Sequence, residues 1–314
     1  MAVGFALREA ARALRRAGCD TPRLDAEVLL ARVTGLDRAA LLAHPERELS
    51  PAELESFRAC VARRRRREPL AYILGRREFL SLDFEVRPGV LVPRPETELL
   101  VEVAADLARR RLEALSAQLD TGTGGPAARL PHRLDLADVG TGSGAVAVGL
   151  ARLVPQAVVW ATDIFETALE VARRNADRLA PGRVRLRRGD LLSALDSEEP
   201  RPLLDGIVAN LPYVADGEWP LLPPEVREYE PRESLVGGRD GLDLVRRLAD
   251  QLPGYLAPGG FVCLEVAPGQ VGRTEDILLR TGLFRRTRVH RDLAGRGRVV
   301  AAVQEDNPAG GGKD

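Results

Sequence analysis

An excess of charge of either sign is missing from this chain: Lys+Arg and Asp+Glu both number 46 in 314 residues, for a formal net charge of zero. Bulk electrostatic attraction to nucleic acid is therefore not written into the composition. Cysteine is scarce. Cys19, Cys60 and Cys263 are odd in number, far apart and without a CxxC pair, which argues against a disulfide framework or a cysteine metal site. His44, His132 and His290 are equally scattered, so no metal centre is expected. Long apolar runs are also lacking, and the stretch around Val146 to Leu150 falls far short of the roughly 20 residues a membrane span needs. Arg8, Glu9 and Arg12 interrupt the N-terminus, where no cleavage-site pattern follows, so export is not expected and a cytoplasmic location is. What is present is 45% hydrophobic and 29% charged, the mix of a soluble globular protein long enough for two domains.

Residues 1–75 carry helical spacing, with apolar positions at Ala26, Leu29, Leu30 and Val33. Thr21-Pro22 reads as an N-cap and first helical residue, and Ser50-Pro51-Ala52-Glu53 as a capping box. The Arg63 to Arg67 run reads either as a solvated helix end or as a docking patch for an acidic or RNA-bearing partner. Residues 76–95 alternate apolar positions (Phe79, Leu82, Phe84, Val86) and carry turn chemistry at Pro88-Gly89, the pattern of a hairpin linking two domains. A helix is expected from Glu96 to Leu115, a mobile loop from Ser116 to His132, and a disordered tail over 305–314, which contains Asn-Pro and three glycines.

From Leu134 onward, strand-like and helix-like segments alternate: strands at Leu134–Val139, Val158–Thr162, Val184–Arg187, Gly206–Ala209 and Phe261–Val266, with helices at Val146–Leu153, Phe165–Leu179 and Leu242–Leu256. Such βαβ alternation predicts an α/β domain with a parallel sheet and helices on both faces, whose ligands bind beyond the carboxyl ends of the strands. The first strand runs into Asp138-Val139-Gly140-Thr141-Gly142-Ser143-Gly144 and then an apolar helix. Alternate glycines let the backbone turn tightly and approach a ligand. Asp163 closes the next strand, where a carboxylate accepts hydrogen bonds from ribose hydroxyls. Asp120 to Gly125 has nearly the same letters but no preceding strand, and Pro126 follows, so it reads as a loop. Three readings of the true loop stay open at this point: a dinucleotide site (Gly140, Gly142, Ala145), an S-adenosylmethionine site (Gly140, Gly142, Gly144), or a tight turn alone.

The strand Gly206–Ala209 leads into Asn210-Leu211-Pro212-Tyr213, a tetrapeptide with no use in hydride transfer. An amide nitrogen is a poor nucleophile because its lone pair is delocalised into the carbonyl. Two acceptors held on its two hydrogens orient it and draw electron density toward the nitrogen. Asn210 supplies one acceptor through its side-chain oxygen and the Leu211 carbonyl the other, with Pro212 holding Leu211 extended. Tyr213 offers a ring on which a planar amide or base stacks. As a bare turn, the same letters would be ordinary.

The chain resembles the HemK/PrmC-type release factor glutamine methyltransferases along nearly its whole length. The likeness is carried by Thr21 to Glu27, Gly75 to Phe79, Leu91 to Glu98, Asp138 to Gly144, Tyr229-Glu230-Pro231 and Gly237 to Leu242. It implies a helical substrate-binding domain (1–75), a linking β-hairpin (76–95) and a seven-stranded, Rossmann-like class I methyltransferase domain (96–304). It further implies that Gly140, Thr141, Gly142, Ser143, Gly144 and Asp163 bind S-adenosylmethionine, that Asp190 and Leu191 flank its adenine, and that Asn210 to Tyr213 bind the glutamine. Leu211 departs from the family, which usually has proline there; Asn-Leu-Pro-Tyr is the form familiar from ribosomal RNA adenine dimethyltransferases.

The expected reaction is direct in-line transfer of a methyl group from sulfonium to the glutamine amide nitrogen, by alignment and water exclusion without a dedicated general base. The expected partner is a peptide chain release factor, with neither stable nucleic-acid binding nor a membrane. Alternatives are an adenine-nitrogen methyltransferase acting on RNA, a dinucleotide-dependent oxidoreductase, and a non-catalytic binding module.

Overall fold

The computed structural model describes residues 1–120 and 133–305. The stretch 121–132, which holds most of the expected mobile loop and of the Asp120 to Gly125 segment, lies outside the described residues, as does 306–314 of the expected tail.

The chain divides into two compact units, the first comprising Met1–Arg77, Val86–Pro88 and Leu222–Glu230. Helices α1 (Val3–Arg16), α2 (Pro22–Thr34), α3 (Arg38–Ala43), α4 (Pro51–Arg65) and α5 (Leu70–Leu74) make up most of it. Their apolar stripes meet in a core of Val3, Leu14, Leu29, Leu30, Leu41 and Phe57. The Ser50–Glu53 capping box forms as expected, Glu53 N–H donating to Ser50 Oγ at 3.2 Å and Ser50 N–H to Glu53 Oε2 at 2.7 Å. Thr21 occupies the N-cap of α2 but makes no capping bond; its hydroxyl donates to Asp25 Oδ1 at 2.7 Å.

The arginine run forms the basic end of α4 as the first reading has it, but only part of it is solvated. Arg64 is buried and donates to Asp25 at 2.7 Å and to Glu225 at 3.0 Å, Arg67 reaches Glu225 at 2.6 Å, and Arg63 chelates Glu68. A buried guanidinium needs charged acceptors to offset its desolvation, and this unit supplies two. Only Arg65 and Arg66 of the run are exposed.

The second unit comprises Glu78–Glu85, Gly89–Leu221 and Pro231–Asp314. Strands β1 (Arg76–Phe79) and β2 (Leu82–Glu85) form the expected hairpin. Helix α6 (Thr97–Asp120) runs five residues beyond the expected Leu115, because Ala, Gln and Leu there are good helix formers. Then come β3 (Leu134–Val139), α7 (Ala145–Leu153), β4 (Ala157–Asp163), α8 (Glu166–Leu179), β5 (Val184–Arg188) and β6 (Leu204–Ala209). The single turn α9 (Pro224–Arg227) belongs to the segment counted with the helical unit. Helix α10 (Asp243–Tyr255), β7 (Leu256–Glu265), α11 (Val271–Arg280), β8 (Thr287–Arg291) and β9 (Gly297–Val303) complete the fold.

The seven strands of the main sheet lie in the order β5-β4-β3-β6-β7-β9-β8, parallel except that β9 runs antiparallel to β7 and β8. One apolar layer (Leu136, Val148, Leu150, Val159) covers one face and another (Val139, Ile207, Leu248, Val262) the other. Strand order reverses at β3, which pairs with β4 on one side and β6 on the other, with Val139 opposite Ala209. A crevice opens at such a reversal, beyond the carboxyl ends of the strands. The glycine loop and Asn210-Leu211-Pro212-Tyr213, far apart in sequence, leave the sheet side by side.

Candidate active site

The crevice is a cleft lined by both loops that leave the sheet at this reversal. Gly140, Thr141, Gly142 and Ser143 line it, together with Asp163, Asp190, Leu191, Asn210, Leu211 and Pro212. Gly144 and Tyr213, also expected at the site, are not among the lining residues. Gly144 instead starts α7 with φ +81°, and a Cβ there would press on the Ala172 backbone at 3.1 Å.

The glycine loop is fixed from several sides. Gly140 and Thr141 N–H both donate to the Thr162 carbonyl at 2.9 Å, and Asn175 of α8 donates to the Ser143 carbonyl at 2.9 Å. Asp138 accepts from the Thr141 hydroxyl at 2.6 Å and from Ala147 N–H, in the first turn of α7, at 2.9 Å. Complete burial pushes the Asp138 carboxyl up to about 7, against the pull of those two donors. Asp163 accepts from Gly142 N–H and Phe165 N–H, both at 2.9 Å, and burial pushes its carboxyl upward too. Each oxygen retains a lone pair, so Asp163 anchors the loop and still has acceptor capacity toward the cleft. A pyrophosphate at the start of α7 would meet a carboxylate already bound there, which disfavours the dinucleotide reading.

At the third strand's end, Asp190 is paired with Arg247, and Leu191 holds φ +52°, an unusual conformation for leucine. Exposed Ile164 and Phe165 line the same side.

The tetrapeptide forms the facing wall. Asn210 donates through Nδ2 to Thr97 Oγ1 at 3.0 Å. Among the described residues nothing donates to Asn210 Oδ1 or to the Leu211 carbonyl, whereas the Tyr213 carbonyl accepts from Gln270 Nε2 at 2.7 Å. The Leu211 side chain is 4% exposed and packs into the core toward Gly140. The Tyr213 phenol is largely buried beside Glu265, which pushes its pKa up to about 12, burial being the larger cause.

Sequence reasoning named neither Thr97 nor Gln270 as a site residue, nor Glu233 and Ser234, which also line the cleft. Thr97 lies inside the Leu91 to Glu98 motif, a signal that was there to be read; Gln270 lies in no motif. Among the described residues no group of His, Cys, Asp and Glu is arranged to hold a metal, and no helix is long and apolar enough to cross a membrane.

Comparison with known proteins gives two family models: a PrmC N-terminal domain over residues 6–75 and a methyltransferase domain over 136–228. A release factor glutamine methyltransferase of Moorella thermoacetica is 41% identical, covering 98% of this chain and all of that one. Its counterpart from Geobacter sulfurreducens is also 41% identical, over 86% of this chain and 85% of its own. A solved release-factor-specific protein-(glutamine-N5) methyltransferase from Alicyclobacillus acidocaldarius is 30% identical, covers 71% of this chain and 99% of its own, and superposes with a TM-score of 0.38.

Proposed function

The chain belongs to the release factor glutamine methyltransferase family, and from that membership we propose that it methylates the side-chain amide nitrogen of a glutamine in class 1 peptide chain release factors, using S-adenosylmethionine. The observation that carries the reading is the pair of open acceptors, Asn210 Oδ1 and the Leu211 carbonyl, on the wall of a cleft whose other side is the glycine loop.

The cleft suits the cofactor. Asp163 offers an acceptor beside the glycine loop, and Leu191, Ile164 and Phe165 add apolar surface, a lining that suits a nucleoside with an amino-acid arm. Asp163 would take the ribose hydroxyls. Asp190, Leu191, Ile164 and Phe165 would flank the adenine. S-adenosylmethionine, when bound, supplies an electrophilic methyl group on a sulfonium.

The chain's own residues do the rest by positioning. Asn210 Oδ1 and the Leu211 carbonyl take the two amide hydrogens of the substrate, so the nitrogen lone pair is aimed along the line of transfer. The nitrogen forms its new bond to carbon as the carbon–sulfur bond breaks, and the amide then releases one proton to water. These residues would act by alignment and exclusion of water, with no added base among them. Tyr213, whose carbonyl is held by Gln270, sets the far end of the turn. The helical unit grips the protein substrate, and a translation factor as substrate puts the reaction in the cytoplasm.

Purified release factor incubated with the enzyme and cofactor should gain one methyl group on a single glutamine, read by tandem mass spectrometry. Methylation of RNA adenine with release factor left unmodified would replace this reading by the one that Asn-Leu-Pro-Tyr suggests.

A further inference from the structure

Glu265 ends β7 next to the strand that delivers Asn210, with its neighbour Leu264 in register with Ala209. It is 2% exposed, and among the described residues neither carboxylate oxygen has a hydrogen-bond partner. A buried carboxylate left so is costly, and its neighbourhood gives the reason to ask what it does. The side-chain donor placed to favour its charged form is the Thr97 hydroxyl, and Thr97 Oγ1 is also the group that receives Asn210 Nδ2.

A hydroxyl has one proton. If Thr97 gives it to Glu265, its lone pairs are left to accept from Asn210 Nδ2, and Asn210 Oδ1 turns to the cleft. If Thr97 instead gives it to Asn210, the side-chain amide flips and presents its NH2 group to the substrate NH2, donor against donor. An ionised carboxylate is acceptor-only and removes the second possibility. We propose that Glu265 is a positioning residue for methyl transfer: by accepting a hydrogen bond from the Thr97 hydroxyl it selects the Asn210 orientation in which Oδ1 faces the substrate amide. The inference rests on the glutamine reading above and adds a relay, Glu265–Thr97–Asn210, that sets its geometry.

The relay has a pH signature. Burial pushes the Glu265 carboxyl up to about 7; the Thr97 hydroxyl, Arg298 and Arg94 oppose this and Glu96 adds to it, while Tyr213 stays protonated in this range. A protonated Glu265 can donate to Thr97 and reverse the relay. Turnover at saturating cofactor therefore rises as pH increases through about 7.

The test measures kcat, KM for release factor, cofactor Kd and melting temperature for the unaltered enzyme, Thr97→Val, Thr97→Ser, Glu265→Gln and the Thr97→Val/Glu265→Gln double variant, between about pH 6 and pH 8.5. Thr97→Val keeps the shape and loses the hydroxyl; it should lower kcat about 30-fold, and Thr97→Ser should recover most of that. Glu265→Gln presents a donor as well as an acceptor and cannot titrate, so kcat should fall about tenfold and the rising limb near pH 7 should vanish. The double variant should be no slower than Thr97→Val, because both changes break one chain, and cofactor Kd should stay within about twofold throughout. Losses that multiply in the double variant, or a limb that persists in Glu265→Gln, overturn the relay while the activity of the unaltered enzyme still supports the functional reading. Absence of glutamine methylation by the unaltered enzyme overturns both.

Discussion

Gln270 holds the carbonyl of Tyr213 at 2.7 Å, and the same Nε2 group reaches the Asp240 carbonyl at 3.0 Å, so one carboxamide ties the substrate turn to the loop of Gly237 to Leu242. That loop packs against the turn so closely that a Cβ at Gly241 would overlap the Tyr213 carbonyl. Gly241→Ala should therefore displace Tyr213 and lower kcat on release factor by about tenfold or more, with cofactor affinity little changed. Full turnover in a folded Gly241→Ala enzyme would show that the position of Tyr213 is immaterial.

Asp163 holds two loop N–H groups and faces the cleft. Asp163→Ala should weaken S-adenosylmethionine binding by about 1.5 to 3 kcal/mol, the range for hydrogen bonds to a charged group. Calorimetry on the folded variant decides it, and unchanged affinity removes Asp163 from the cofactor site.

Asn210 and Leu211 contribute different kinds of acceptor, a side chain and a carbonyl. Asn210→Ala should cost about 100-fold in kcat. Leu211→Pro keeps the carbonyl and loses the N–H, so kcat should stay within about tenfold. Because the Leu211 side chain packs in the core, the proline should also lower stability by about 1 to 3 kcal/mol. If both variants lose activity equally, the carbonyl is not the second acceptor.

Asp138 makes stability depend on pH. Its folded pKa of about 7 stands above the ordinary 3.8, so the folded state holds an extra proton between these values. The stability this proton confers is complete below 3.8, falls as pH rises and levels off above about 7. Asp138→Asn removes that decline while keeping one acceptor for Thr141 or Ala147. Urea unfolding should shift the stability difference between variant and unaltered protein in the variant's favour by about 2 to 3 kcal/mol from pH 5 to pH 8. An equal difference at both pH values contradicts a neutral Asp138.

The run from β3 to β7 was legible because apolar strands, amphipathic helices and glycine turns follow one another with the right periods. Strands β8 and β9 and helix α11 were not read from the letters. In β8, Thr287 to Arg291, arginines and a histidine alternate with little apolar content, as suits an edge strand whose exposed face is charged. The site was legible where it rests on motifs: the glycine loop, Asp163 and Asn210 to Pro212 all meet in the cleft. It was illegible where single polar residues act from behind. Thr97, Glu265 and Gln270 acquire meaning only when β6, β7 and the start of α6 are brought together. The arginine run misled for a related reason: nothing in five identical letters marks Arg64 as the one turned inward to Asp25 and Glu225.

Because Leu222–Glu230 is counted with the helical unit, that unit is not a contiguous piece of the gene product. Arg64 and Arg67 find their partner Glu225 only after the sheet's first four strands have been synthesised. On the ribosome the helical unit therefore emerges incomplete, with Arg64 paired to Asp25 alone and Arg67 still without Glu225. A chimaera that exchanged only the first 77 residues with a relative would inherit a socket without its plug, and recombination between family members should succeed when the crossover carries both segments from one parent.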